Sequence, residues 1–212
     1  MKGLLKKEFY MAWRYCKMYL VIIVIFLGIT FAIGNGELNF FFVIYPFLMI
    51  GMIPMTLLAY DERSGWLQYS AALPCSRGQI VSVKFLSGSL YVVITVAAYL
   101  AVFAGLSMAN GGSLAEVGPS LLPMGALCLT AGLVTPTLCL PFTFALGVEK
   151  GRLSYYAAIV IICVLGPQAL RLGGVTALAP YLAKTSRLLL AVAALYALSW
   201  QLSIALYKRR EL

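Results

Sequence analysis

Six runs of mostly apolar residues, each of membrane-spanning length, follow one another along this chain with polar gaps between them. They fall at about residues 18–34, 40–60, 85–108, 121–148, 153–170 and 188–207. An α-helix needs about 20 such residues, range about 17–25, to cross the hydrocarbon core. Inside lipid every backbone N–H and C=O must find a protein partner, so runs of this kind form helices. The expected fold is an all-α membrane protein with six transmembrane helices. Composition agrees: 62% of the 212 residues are hydrophobic and 11% are charged, against about 45–50% and about 25% in soluble domains. A soluble chain of this size has too much surface for its volume to hide that excess.

Lys and Arg number 16 against 7 Asp and Glu, a net charge of +9. Nucleic-acid binding needs cations gathered on one folded face. Here they sit in the gaps between apolar runs, so no nucleic-acid partner is expected. Cytoplasmic loops carry the excess of basic residues. With the N-terminus inside, Lys2, Lys6, Lys7, Arg14, Lys17, Arg63, Arg77, Lys84, Lys150, Arg152, Lys208, Arg209 and Arg210 fall on the inner side. Only Arg171, Lys184 and Arg187 fall outside, and the outer gaps at 35–39 and 109–120 carry no basic residue. Splitting or dropping a span breaks this pattern. The chain is therefore expected to be a multi-pass protein of the plasma membrane, with both termini cytoplasmic and residues 208–212 as a short tail.

Residues 1–17 differ from the spans. Leu4, Leu5, Phe9, Met11, Ala12 and Trp13 gather broadly on one face of a helix, flanked by Lys2, Lys6, Lys7, Arg14 and Lys17. Such a helix lies in the membrane interface with its cations near anionic head groups. The run after it is longer than a signal h-region of about 7–15 residues and is read as a retained helix. Pro46 and Pro54, and Pro136 and Pro141, remove backbone donors within the second and fourth spans. Gly28, Gly88, Gly105, Gly125, Gly132 and Gly147 are placed to allow close helix approach.

Catalytic chemistry has little to stand on. The chain has no histidine, and its five cysteines (Cys16, Cys75, Cys128, Cys139 and Cys163) form no CxxC pair. A metal site is therefore not expected. No GxxxxGK[ST] loop is present, so the chain is not expected to bind ATP in the P-loop manner or to be an enzyme. No carboxylate falls securely at mid-membrane, where ionisable groups usually mark function. Thr56, Thr130, Thr135, Thr137, Thr143 and Gln168 are candidates for lining a translocation pathway. Their hydroxyls also have a simpler use, bonding back to their own helix carbonyls.

The largest inner loop, residues 61–84, reads DERSGWLQYSAALPCSRGQIVSVK. It is too polar for lipid and too long for a turn. Asp61 and Glu62 are expected to open a short helix with Gly65 and Trp66 at its middle. Ser76 is expected to cap a further helix carrying Arg77 and Lys84 into the membrane. A solvated loop has no need of Trp66, Leu67, Tyr69 and Leu73. A short amphipathic helix suits docking to another protein, or lying on the bilayer.

Three stretches resemble one family: the opening LLKKEF, the second span ending in Tyr60-Asp61-Glu62-Arg63-Ser64-Gly65-Trp66, and LPCSRGQIVSVKF. They are similar, in order, to permease subunits of type-two ABC exporters. The resemblance implies that residues 1–17 are the family's connecting helix. It implies that residues 61–84 carry the cytoplasmic coupling helix between helices 2 and 3, seated in a groove of an ATPase subunit. Asp61, Glu62, Arg63, Ser64, Gly65 and Trp66 would make that contact, flanked by Arg77 and Lys84 at the membrane surface. ATP and Mg would be bound by the partner ATPase, with no cofactor in this chain. Two permease copies, or this chain and a paralogue, would assemble with two ATPases. Residues 172–186 are a candidate for the small outer helices that close the exit. Lacking a large extracellular domain, the chain looks like compact bacterial exporters of amphipathic peptides and antimicrobial compounds, such as phenol-soluble-modulin exporters. The rival expectations are a non-transporting immunity or scaffold protein, and an ion-coupled carrier. The carrier is disfavoured by the lack of membrane carboxylates and of clear inverted repeats.

Overall fold

The computed structural model describes residues 2–33, 40–70, 72, 75–109, 114–153, 156 and 185–209. Among these every regular element is a helix: α1 (Lys2–Tyr15), α2 (Lys17–Ile33), α3 (Phe40–Gly51), α4 (Ile53–Arg63), α5 (Trp66–Ser70), α6 (Arg77–Ala109), α7 (Leu114–Leu146) and α8 (Thr185–Arg209). A helical turn at 148–153 follows α7. Among the described residues, four segments are long and apolar enough to cross a membrane: Ile44–Arg63, Arg77–Ala109, Leu121–Leu146 and Leu189–Arg209. The pair α1–α2 qualifies as a fifth only if its bend of 60° is counted within one span. The expected span at 153–170, and the exit element at 172–186, lie outside the described residues.

Local sequence explains where the helices break. Cys16 separates α1 from α2, with its N–H still bonded to the Ala12 carbonyl at 2.8 Å. Met52 separates α3 from α4, and Pro54 then occupies the first turn of α4, where a missing donor costs least. The loop does not open as the sequence suggested. Asp61, Glu62 and Arg63 continue α4 instead of starting a new helix. Gly65 is the turn, not the middle of a helix, with φ +70°. A residue in that left-handed region just past a helix end is most often glycine. Ser76 behaves as expected: its hydroxyl accepts the Gln79 N–H at 3.2 Å, and the Gln79 side chain accepts the Ser76 N–H at 3.1 Å. That reciprocal pair lets α6 begin at Arg77, well before the apolar run at 85.

The helix α7 sits at the centre, packed against α3, α4, α6 and α8. At 33 residues each, α6 and α7 are about 50 Å long, well beyond the roughly 30 Å hydrocarbon core. Small residues set the closest crossings. A Cβ on Gly51 would lie 2.5 Å from the Gly132 carbonyl oxygen, and one on Gly132 would strike Val92. Gly28 and Gly105 face open space instead, so only part of the expected glycine set is used in packing. Polar side chains add cross-links. Ser199 donates to the Thr137 carbonyl at 2.7 Å, Trp200 Nε1 to Ser82 at 3.0 Å, and Tyr196 to the Phe85 carbonyl at 2.6 Å. Such bonds replace the hydrophobic force that helices lack in lipid.

Candidate functional site

One end of the bundle collects the chain's charged machinery. Glu8 and Ala12 on α1, and Cys16 just past its end, follow at one-turn spacing, and Glu8 and Cys16 are each only 3% exposed. This face of α1 meets the C-terminal end of α4 and the first turns of α6. There Glu8 finds Asp61 and Lys84, each 1% exposed.

Lys84 Nζ donates to Glu8 Oε1 and Oε2 at 2.8 Å each, and to Asp61 Oδ2 at 2.6 Å. An ammonium has three protons, so all are used. Lys7 Nζ donates to the other Asp61 oxygen and stands 3.7 Å from Glu8. The same nitrogen lies 4.0 Å over the Trp66 ring, a cation–π contact. Two cations and two carboxylates thus form a charge-balanced group, buried except for Lys7, whose side chain is 22% exposed. Burial pushes the Lys7 ammonium below its ordinary value, while the hydrogen bond and charge of Asp61 draw it back up.

Glu62, next to Asp61, points elsewhere. Its Oε2 accepts the Val148 N–H at 3.0 Å, at the start of the turn 148–153 and just after Gly147, whose φ is +87°. A carboxylate suits that helix start. Glu62 and Arg63 also border a cavity of about 380 Å³ together with Gly147, Glu149, Lys150 and Arg152. The adjacent residues Asp61 and Glu62 therefore fasten the end of α4 to two sides of the bundle.

Beyond Gly65 the short helix α5 turns its surface outward. Gln68 and Tyr69 are exposed, Tyr69 by 61%, while Trp66 is half-buried. Arg63 and Ser64 are exposed beside it. Arg77 lies at the same end, its guanidinium donating to the Lys208 carbonyl at 3.2 Å and reaching the Tyr207 carbonyl at 3.5 Å. It satisfies carbonyls at the C-terminal end of α8, where a cation is favoured.

The sequence-nominated residues thus divide. Arg63, Ser64 and Gly65 lead into α5, which Trp66 opens. Asp61 and Lys84 lie beneath it, inside the charge group, and Lys84 is not on an open surface. The pathway threonines are spread along the bundle. Thr56, Thr130, Thr137 and Thr143 donate to carbonyls of their own helices, at 2.6 to 3.2 Å. Thr135 crosses to the Leu48 carbonyl at 3.2 Å. Gln168 lies outside the described residues. Lys7 and Glu8 were not nominated from sequence. A usable signal existed: Glu8 is the only acidic residue before Glu37, on a helix otherwise basic and apolar.

A family model described as ABC-2 family transporter protein matches residues 3–208. No curated protein and no solved structure matches the chain. The match covers nearly all of the 212 residues, and several helices have membrane-crossing length. This chain belongs to the ABC-2 family of transporter proteins, as a multi-pass membrane subunit whose family implies an ABC ATPase partner.

Proposed function

We propose that this chain is the membrane subunit of an ATP-driven exporter that moves amphipathic peptides or antimicrobial compounds out of the cell. In this reading it has six spans and cytoplasmic termini, and α1 lies in the inner interface. ATP and Mg are bound by the partner ATPase, and this chain itself catalyses nothing. Two copies, or this chain and a paralogue, enclose the pathway. The ATPase contact is made by α5 with Arg63, Ser64 and Gly65. Arg77 flanks it, and Asp61 and Lys84 anchor it from below.

The observation that carries the reading is the charge group of Lys7, Glu8, Asp61 and Lys84, which meets α5 through Lys7 Nζ over the Trp66 ring. A flexible linker would dissipate a push on α5. Here the push meets a fastened junction of α1, α4 and α6, while Glu62 links the same point to the end of α7. Closure of the ATPases on ATP would thereby move whole helices. The transported compound must bind the two resulting states differently for the cycle to do work.

The test is co-purification of the full chain with its ATPase, for wild type and for Gln68→Arg/Tyr69→Arg. These side chains are exposed, so the fold is expected to survive. Loss of ATPase binding with an unchanged thermal midpoint supports the assignment. Normal binding and normal substrate-stimulated ATP hydrolysis by the double variant would sink it.

A further inference from the structure

Next to the charge group, a trough follows α1 along α6 that the proposed coupling path does not use. Its wider part, about 590 Å³, is bordered by Leu5, Lys6, Phe9, Leu86, Leu90 and Tyr91 among others. Phe9 and Tyr91 also border a second cavity of about 260 Å³, which continues along α1 to Trp13 and Cys16. Lys6 therefore stands at one end of an elongated hollow whose other end is apolar.

Four side chains with polar atoms border the wider part: Lys6, Ser87, Ser89 and Tyr91. The serine hydroxyls are engaged, donating to the Lys84 and Leu86 carbonyls at 3.1 and 3.0 Å. Lys6 supplies its only charge. Lys6 is exposed, and no carboxylate lies within ion-pair distance of it among the described residues. Its neighbours Lys7 and Lys84 are neutralised by Glu8 and Asp61, so the positive charge at this end of the trough belongs to Lys6. The walls open outward: Phe9, Leu86, Leu90 and Val93 are 54%, 44%, 47% and 51% exposed, on helices of a membrane protein.

We infer that this trough binds one anionic phospholipid, its phosphate against Lys6 Nζ and an acyl chain running past Phe9 and Tyr91 toward Trp13. Charge complementarity selects an anionic over a zwitterionic head group, because Lys6 has no carboxylate beside it to share a choline. The long apolar trough selects an acyl chain over a polar peptide. The lipid would brace α1 against α6 from the side opposite solvent, next to the junction through which α5 acts. The inference rests on α1 lying in the membrane interface and is independent of the ATPase contact.

The experiment uses the full chain without ATPase. It is reconstituted in vesicles of equal phosphatidylglycerol and phosphatidylcholine and re-extracted in mild detergent, and retained lipid is counted by native mass spectrometry. Wild type is expected to keep one phosphatidylglycerol per chain. Lys6→Gln should retain about fivefold less, the factor equivalent to about 1 kcal/mol for one cation at an anionic lipid. Arg14→Gln, the same charge change on the same helix, should retain it as wild type does. Ser89→Trp, which fills the trough, should also lose it at an unchanged thermal midpoint. Equal retention of both lipids, equal behaviour of Lys6→Gln and Arg14→Gln, or a bound peptide in place of lipid would overturn the inference. The ATPase proposal would still stand in each of those cases.

Discussion

Lys84 and Asp61, 23 positions apart in the chain, are joined by a buried 2.6 Å ion pair, and this pair sets the geometry of the cytoplasm-facing loop in the proposed topology. It ties the end of α4 to the first turns of α6, so the segment between them leaves and returns at one point. With Glu8 also bonded to Lys84, α1 is held at that same point.

Removing Lys84 leaves two buried carboxylates sharing only Lys7. Breaking a buried ion pair by deleting one partner costs about 3–5 kcal/mol. Lys84→Met is therefore expected to lower the thermal midpoint in detergent sharply. Lys84→Met/Glu8→Gln, which also removes one stranded charge, should recover part of the loss. A double variant no more stable than Lys84→Met alone would show that Glu8 and Lys84 are not energetically coupled.

Glu62→Ala removes the acceptor for the Val148 N–H. Hydrogen bonds to charged groups contribute about 1.5–3 kcal/mol. Amide exchange across 148–153 should accelerate by at least about tenfold, while exchange in α7 stays as in wild type. Glu62→Asp, one methylene shorter, should fall between the two.

Gly65→Ala has room around it, since nothing lies within 4 Å of a Cβ there. Its cost is conformational, about 1–2 kcal/mol for a left-handed residue. Gly65→Asn should cost less, because asparagine tolerates that region better. Stability of the two variants, with ATPase co-purification as a second readout, separates backbone strain from a lost surface contact.

Gly51 and Gly28 make opposite predictions. Gly51→Ala forces α3 away from α7, because its Cβ would meet the Gly132 carbonyl. The thermal midpoint should fall. Gly28→Ala meets open space on an exposed face and should be neutral or stabilising by about 0.5–1 kcal/mol, the usual advantage of alanine within a helix. Similar effects for the two would mean that the α3–α7 crossing is looser than described.

Among the described residues the apolar runs announced the helices, because lipid leaves the backbone no other way to satisfy its polar groups. Ser76 announced the start of α6, and the structure adds Gln79 as its reciprocal partner. The sequence suggests Gly65 at the middle of a short helix, whereas it forms the turn that follows α4. That depended on Asp61 and Glu62 finding distant partners, Lys84 and Val148, which hold α4 in helical form to Arg63. Lys7 and Glu8 escaped notice for the same reason. Each looks like part of a basic interfacial helix until Asp61 and Lys84 are brought to it from 53 or more residues away. Periodicity shows local faces, whereas a charge group assembled from three helices has no local period. The described pathway threonines all donate to backbone carbonyls, a bond that a hydroxyl within a span makes whether or not it also faces a conduit.

The separation of Glu8 from Lys84 has a consequence for biogenesis. The acid leaves the ribosome 76 residues before the base that neutralises it. At about 5–20 residues per second, that is a wait of roughly 4–15 seconds. During this interval Glu8 can rest only in the wet head-group layer or against Lys7. The N-terminal helix should therefore stay unseated at the surface until the third hydrophobic run is inserted, and docking of α1 becomes a late, checkable mark of correct insertion.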